Sequence, residues 1–327
     1  MNKRATFVVA LVLWFVVLES FRAGPVAAQT YPAKPTRYVV PYAAGGGTDI
    51  LARLIADKLS STWGVPVIVE NRPGAAGRIG TEVVARATPD GYTMLLAINS
   101  HAINTSLYGK LPYDPIADFA PVILVATAPQ VVTVHASLPA RSIKELIALA
   151  RSRRGELTYA SGGPGSASHL GAELFNTMAK VKFIEVPYKS GTAAMTDLLG
   201  GHILMSLVTF PVVHPYVNSG RLRALAVTSK GRSTLAPELP TVAESGLPGY
   251  DVFSWFGTFA PAGTPPAIIE RWNSEITKIL AMRDIQEKVS AIGYELKGGT
   301  PEQFAQFVRS DWMFWDKVIK GLKIKLD

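Results

Sequence analysis

"VPYAAGGGTDILARLIADKLSSTWG", residues 40–64, joins an apolar run to an amphipathic stretch through three consecutive glycines. Ile50, Leu51, Leu54, Ile55 and Leu59 recur at helical spacing, which predicts a helix over about Thr48–Ser61. The preceding "TRYVVPY" reads as a β-strand. A strand, a bare turn and a helix in that order form the unit of an α/β fold. The turn also carries a functional implication. Free N–H groups and the dipole at a helix N-terminus favour an anion, and glycine lets one approach closely. Thr48 and Asp49 are suited to cap the helix. No lysine follows the glycines, so the G-x-x-x-x-G-K-[ST] phosphate loop is excluded.

The pattern recurs. "LTYASGGPGSASHLGAELFNTMA", residues 157–179, is again strand, turn and helix, now with hydroxyls at Ser161, Ser166 and Ser168. Gly162, Gly163 and Gly165 are expected to present backbone N–H groups there, and His169 falls in the first turn of the helix. Further strands are predicted in "VPVIVE", "YTMLLA", "QVVTVHA", "KFIEVPY", "HILMSLV", "LRALAVTS" and "SWFGTFAP". Ser142 and Glu145 form a capping box at another helix start. From about Pro265 the chain reads as mostly helical. The expected fold is two α/β units with mainly parallel sheets, each offering a turn at the carboxyl ends of its strands, where ligands collect in open α/β sheets.

Bulk properties narrow the function. Lys3 and Arg4, a 14-residue largely apolar run from Ala5 to Leu18, and small residues at Val26 and Ala28 make a secretory leader cleaved after Ala28. Residues 1–28 removed, the formal charge falls from +8 to +6 and 299 residues remain, enough for two domains. The positive charge is spread along the chain, which argues against nucleic acid. There is no cysteine, and hence no disulfide, thiolate metal site or lipidated N-terminus. His101, His135, His169, His202 and His214 are scattered without metal-ligand spacing, so no metal is expected. "GAAGRIG", residues 74–80, lacks the dinucleotide spacing. Ser166 and His169 raise the alternative of an exported serine hydrolase, but G-x-S-x-G is missing around Ser166. In "VPYKSGTAAMTDLLGGHI", residues 186–203, Tyr188 is the better contact candidate and Lys189 an ordinary solvated lysine.

Taken as an ordered set, "YPAKPTRYVVPYAAGGGTDILAR", "VIVENRPGAAGRIG", "ATPDGYTMLL", "LPYDPIADFAPV", "YASGGPGSASHLGAELF", "VPYKSGTAAMTDLLGGHI" and "LPTVAESGLPGYDVFSWFGTFAPAGTP" resemble the Bug family, the extracytoplasmic solute-binding subunits of tripartite tricarboxylate transporters. Ser190 stands where the family usually has glycine. The resemblance implies a bilobal, Venus-flytrap protein of the periplasmic type II class. Its lobes would be residues 29–127 with 254–327, and residues 128–253, joined by a hinge. It implies a periplasmic monomer that binds a small carboxylate, uses no cofactor and docks on the membrane subunits of a transporter, or presents its solute to a receptor. The first-lobe turn would fall on Ala44, Gly45, Gly46, Gly47, Thr48 and Asp49, and the second on Ser161, Gly162, Gly165, Ser166 and His169. Tyr42 and Tyr188 would be walls, with Ser100 and Thr209 following strands that end at the cleft.

Overall fold

The computed structural model describes residues 31–153, 155–163, 165–188, 191–322 and 324. The leader with its cleavage site after Ala28, and the positions Lys189 and Ser190, lie outside the described residues. The chain begins with β1 (Thr36–Val40), α1 (Gly47–Trp63), β2 (Val67–Asn71), α2 (Arg78–Ala85), β3 (Thr93–Ile98) and α3 (Ser100–Tyr108). A long strand follows, β4 (Phe119–His135). Next come α4 (Ile143–Ser152), β5 (Thr158–Ser161), α5 (Ala167–Ala179), β6 (Ile184–Pro187), α6 (Gly191–Leu199), β7 (Met205–Thr209), α7 (Phe210–Asn218) and β8 (Leu222–Val227). The chain ends with β9 (Phe253–Pro261), α8 (Pro266–Leu280), α9 (Arg283–Ala291), β10 (Glu295–Leu296) and α10 (Pro301–Leu322).

Helix α1 forms for the reason its sequence gives. Leu51, Ile55 and Leu59 fall on one side and are fully buried, packed in one core with Trp272 and Ile276 of α8. The helix stops at Gly64, whose left-handed backbone returns an N–H to the Ser60 carbonyl. At α4 the Ser142 hydroxyl accepts from Glu145 N at 3.2 Å, and the Glu145 carboxylate accepts from Arg141 N at 2.7 Å. The capping box is thus closed one residue further out than its usual form.

The sheet order is β2-β1-β3-β9-β4-β7-β5-β6, with β8 and β10 paired to β4. The outer trios β2-β1-β3 and β7-β5-β6 are parallel, as expected. Antiparallel pairing enters at β9 and β4, because a chain that passes into a second lobe and returns must reverse direction. Only the second part of β4 was legible as a strand. Pro121 and Pro129 hid the first part, yet each sits where it does no harm. Register shifts beside Pro121, and Pro129 forms the last pair before β9 diverges.

Strand direction fixes how the turns face. β1 and β3 are parallel, β9 opposes β3, and β4 opposes β9, so β1, β3 and β4 share one direction. β7 opposes β4 and β5 follows β7, so these two point back. The carboxyl ends of β1 and β3 therefore point toward those of β5 and β7. In register, Ile98 lies level with Phe256 and Ala126, and Thr209 lies level with Gln130. A four-residue step along β4, roughly 13 Å, separates the ends of β3 and β7, and β1 and β5 end further back on either side.

The lobes also share a core behind the hinge. Phe304 and Val308 of α10 pack with Trp255 and Phe259 of β9. Further along the same helix, Trp315 and Ile319 join Leu170 and Phe175 of the second lobe, together with Ile103 and Leu107 of α3. The carboxyl half of α10 thus rides on both lobes.

Candidate functional site

The first turn differs in detail from the cap expected of it. Helix α1 begins at Gly47, and its N-cap is Gly46, which makes no side-chain capping bond. Thr48 and Asp49 lie inside the first turn and are buried. The Asp49 carboxylate folds back, accepting from Gly45 N at 2.9 Å, Arg53 Nε at 3.0 Å and Asn71 Nδ2 at 3.0 Å. Burial raises its pKa, but the bonds from Arg53, Gly45 and Asn71 outweigh burial and hold it below the usual carboxylate range. Asp49 is therefore a brace inside the turn, and it occupies the Gly45 N–H. Ala44, Gly45 and Gly46 remain exposed. A Cβ at Gly46 would meet nothing nearer than the Ala43 carbonyl at 3.5 Å, so this position faces open space. At Gly47 a Cβ would fall 1.8 Å from the Tyr294 hydroxyl, so that glycine is empty for an aromatic ring of the same protein.

Tyr42 and Ser100 meet directly, hydroxyl to hydroxyl at 2.6 Å. Ser100 opens α3, and the preceding Asn99 ties this corner to the returning strand. Its amide donates to the Phe253 carbonyl and its oxygen accepts from Trp255 N, both at 2.9 Å.

The second turn is largely satisfied by its own side chains. Ser166 caps α5, accepting from His169 N at 3.2 Å. Gly162 N donates to Ser168 Oγ, Gly163 N to Ser161 Oγ and Gly165 N to His169 Nδ1, all at 3.0–3.1 Å. The expectation that Gly162, Gly163 and Gly165 present free N–H groups is thus corrected. What remains free is the amino end of α5 itself. The Ser161 hydroxyl donates to Glu185 Oε1 at 2.5 Å, and His169 Nε2 lies 3.6 Å from Glu185 Oε2. Because Nδ1 of His169 accepts a backbone proton, it offers no lone pair to Ser166, and a serine–histidine nucleophile pair is not assembled.

Tyr188 follows β6 and donates to Asp197 Oδ2 at 2.6 Å. Burial, then the bond to Asp197 and its charge, push the phenol up to about 12. Thr209 is the N-cap of α7, without a side-chain capping bond. The structure adds a segment that the sequence reading passed over among the C-terminal helices, Gly293–Tyr294 after α9. Tyr294 stacks on Phe256, centroids 4.4 Å apart, and covers Gly47. A Cβ on Gly293 would lie 2.9 Å from Pro211 Cδ and 3.1 Å from Thr209 Cβ. This segment thus touches the first turn on one side and the start of α7 on the other. Among the described residues, no group of three or more His, Cys, Asp or Glu is arranged to hold a metal ion. No helix among them is long and apolar enough to cross a membrane.

Two facing lobes, each with a helix N-terminus at the seam, are the arrangement of a solute-binding protein. The family described as "Tripartite tricarboxylate transporter family receptor" matches the chain over residues 51–324. The chain belongs to this receptor family. The Bordetella pertussis relative BugT is 39% identical over 307 residues, spanning 93% of this chain and 94% of its own. An R. palustris structure solved with adipate superposes with a TM-score of 0.79 at 38% identity, covering 90% of this chain and all of the other. MatC from Rhodopseudomonas palustris, with bound malate, gives 0.75 at 31% identity, covering 88% of this chain and all of its own. The resemblance to Bug proteins read from the ordered motifs is therefore correct, and so is the bilobal type II fold.

Proposed function

We propose that this receptor-family protein captures a small carboxylate-bearing metabolite between its lobes and delivers it to the membrane subunits of a tripartite tricarboxylate-type transporter. It does so as a periplasmic monomer released from its leader after Ala28, without catalysis or cofactor. The division into residues 29–127 with 254–327, and residues 128–253, puts the hinge where β4 and β9 cross.

The observation that carries this reading is that the carboxyl ends of β1 and β3 point toward those of β5 and β7 along β4, each set leading into helix N-termini. Each concentrates unpaired N–H groups and the positive end of a helix dipole on the seam. In the first lobe the donors are Gly46, Gly47 and the first N–H groups of α1, with the Tyr42–Ser100 hydroxyl pair beside them. In the second they are the amino end of α5, with the Ser166 hydroxyl, and the Thr209 corner. Asp49, Ser161 and His169 act behind these donors by fixing the turns. Contacts made to both lobes at once exist only when the cleft is shut, so the solute shifts the population toward the closed form.

A thermal-shift screen over carboxylic acids tests the reading. An acid present at 100 times its dissociation constant stabilises by about 2.7 kcal/mol. For a chain of this size that raises Tm by roughly 5–10 °C. No shift with any carboxylate, alongside a shift with a cationic or neutral solute, would reject it.

A further inference from the structure

Tyr294 is held at the seam from three sides. Its ring stacks on Phe256 of β9, centroids 4.4 Å apart, and Phe256 is level with Ile98, the last residue of β3. Gly293 before it lies against Thr209 and Pro211, where β7 ends and α7 begins. Glu295 after it pairs with Thr127 of β4. The Glu295 carboxylate accepts from Ser233 Oγ at 2.6 Å and from Thr234 N at 3.1 Å, in the segment that follows β8. The neighbours of Tyr294 thus touch the proposed second lobe, while its ring rests on the first.

The tip of the phenol reaches the first turn. A Cβ on Gly47, the first residue of α1, would fall 1.8 Å from the Tyr294 hydroxyl. In an α-helix the Cα–Cβ bond tilts toward the amino end. The hydroxyl therefore sits on the amino side of Gly47, where the first N–H groups of a helix lack intrahelical partners. It makes no hydrogen bond among the described residues. Burial alone pushes it up to about 12, so near neutral pH it is an uncharged O–H donor. The other tyrosines of the candidate site are engaged, Tyr42 with Ser100 and Tyr188 with Asp197. A half-buried hydroxyl with no acceptor is a costly arrangement, and an acceptor set against the amino end of α1 would relieve it.

We infer that Tyr294 is a solute-binding residue, its hydroxyl donating to the carboxylate that the first N–H groups of α1 receive. The inference rests on the cleft reading above and adds to it a side-chain donor from the far end of the chain. The contacts of Gly293 and Glu295 fix the main chain on either side, and the stack on Phe256 fixes the ring. The donor is therefore ordered before the solute arrives, which lowers the entropy cost of binding.

Tyr294→Phe keeps the ring, its stack on Phe256 and the space over Gly47, and removes only the oxygen. A thermal-shift screen of the mature chain against propionate, hexanoate, benzoate, succinate, adipate, malate and citrate selects the acid with the largest shift. That acid is then titrated calorimetrically into wild type, Tyr294→Phe and Gly46→Val. Tyr294→Phe is expected to melt near wild type and to bind about tenfold more weakly. Wild-type affinity in Tyr294→Phe would overturn the inference, and a loss confined to Gly46→Val would leave the cleft standing. Weaker binding accompanied by a fall in Tm of several degrees would also overturn it, assigning the phenol to packing of the turn. No response to any of these acids would overturn the cleft reading along with it.

Discussion

Gly46→Val separates a glycine proposed to face the solute from a packing glycine. Gly46 has φ −76° and ψ 166°, a conformation open to any L-residue. A Cβ added there meets no atom nearer than 3.5 Å. Losing glycine at an N-cap costs up to about 1 kcal/mol, a fall in Tm of only a few degrees for a protein this large. Binding should suffer far more. In the proposed cleft the side chain would stand where a carboxylate meets the Gly46 and Gly47 N–H groups, and one hydrogen bond to a charged group is worth about 1.5–3 kcal/mol. That converts to a loss of affinity of roughly 10- to 100-fold. Gly47→Ala is the contrasting variant. Its Cβ would lie 1.8 Å from the Tyr294 hydroxyl, and relieving such overpacking costs about 1–3 kcal/mol of stability. Calorimetric titration and a thermal melt on both variants read the two effects. A Gly46→Val protein that melts near wild type and binds its solute undiminished would refute the role given to the turn.

Asp49→Ala deprives Gly45 N, Arg53 and Asn71 of their acceptor, which should cost about 2 kcal/mol in a denaturant titration and weaken solute binding as the turn loosens. His101 is buried between Phe119 and Phe259, and burial pushes its pKa down to about 4. The unfolded chain takes up that proton below about pH 6.5, so His101 contributes stability that is lost as pH falls from about 6.5 toward 4, on the order of 3 kcal/mol. His101→Gln should remove this acid loss in urea melts. Asp311, which accepts from Trp255 Nε1 at 2.8 Å, works in the opposite direction. Burial pushes it up to about 7, so the folded state holds a proton that the unfolded state releases near pH 4. The resulting destabilisation is full above pH 7 and is relieved as pH falls, so Asp311→Asn should gain more stability at pH 8 than at pH 5. Generic ester substrates should not be turned over by the wild-type protein, and a rate abolished by Ser166→Ala would contradict the absence of a nucleophile pair.

Much of the fold was legible because it is written in local periodicity. The apolar stripe of α1, the Ser142 cap and the strand–turn–helix units read directly from residue spacing. The full course of β4 was not, since prolines normally end strands and only the pairing with β9 shows that Pro121 sits beside a register shift and Pro129 at the last pair with β9. The candidate site divides along the same line. Its two turns could be found as glycine clusters, but a hydroxyl-rich turn reads alike whether its hydroxyls serve a ligand or the turn's own backbone. Ser161, Ser168 and His169 bond to neighbours at most 24 residues away, including their own turn's amides. Asp49, a good cap by composition, is drawn inward by Asn71 from the next strand. Tyr294 reaches Gly47 from the far end of the chain, and no pattern in either segment announces the other.

Amide hydrogen exchange with and without the acid that stabilises the protein most reads both mouths of the cleft in one experiment. Peptides covering residues 44–49 and 161–169 should slow together on binding, since a solute gripped by both lobes shields both helix starts. Protection confined to one of them, or appearing only at distant segments while these two exchange as before, would contradict a shared crevice.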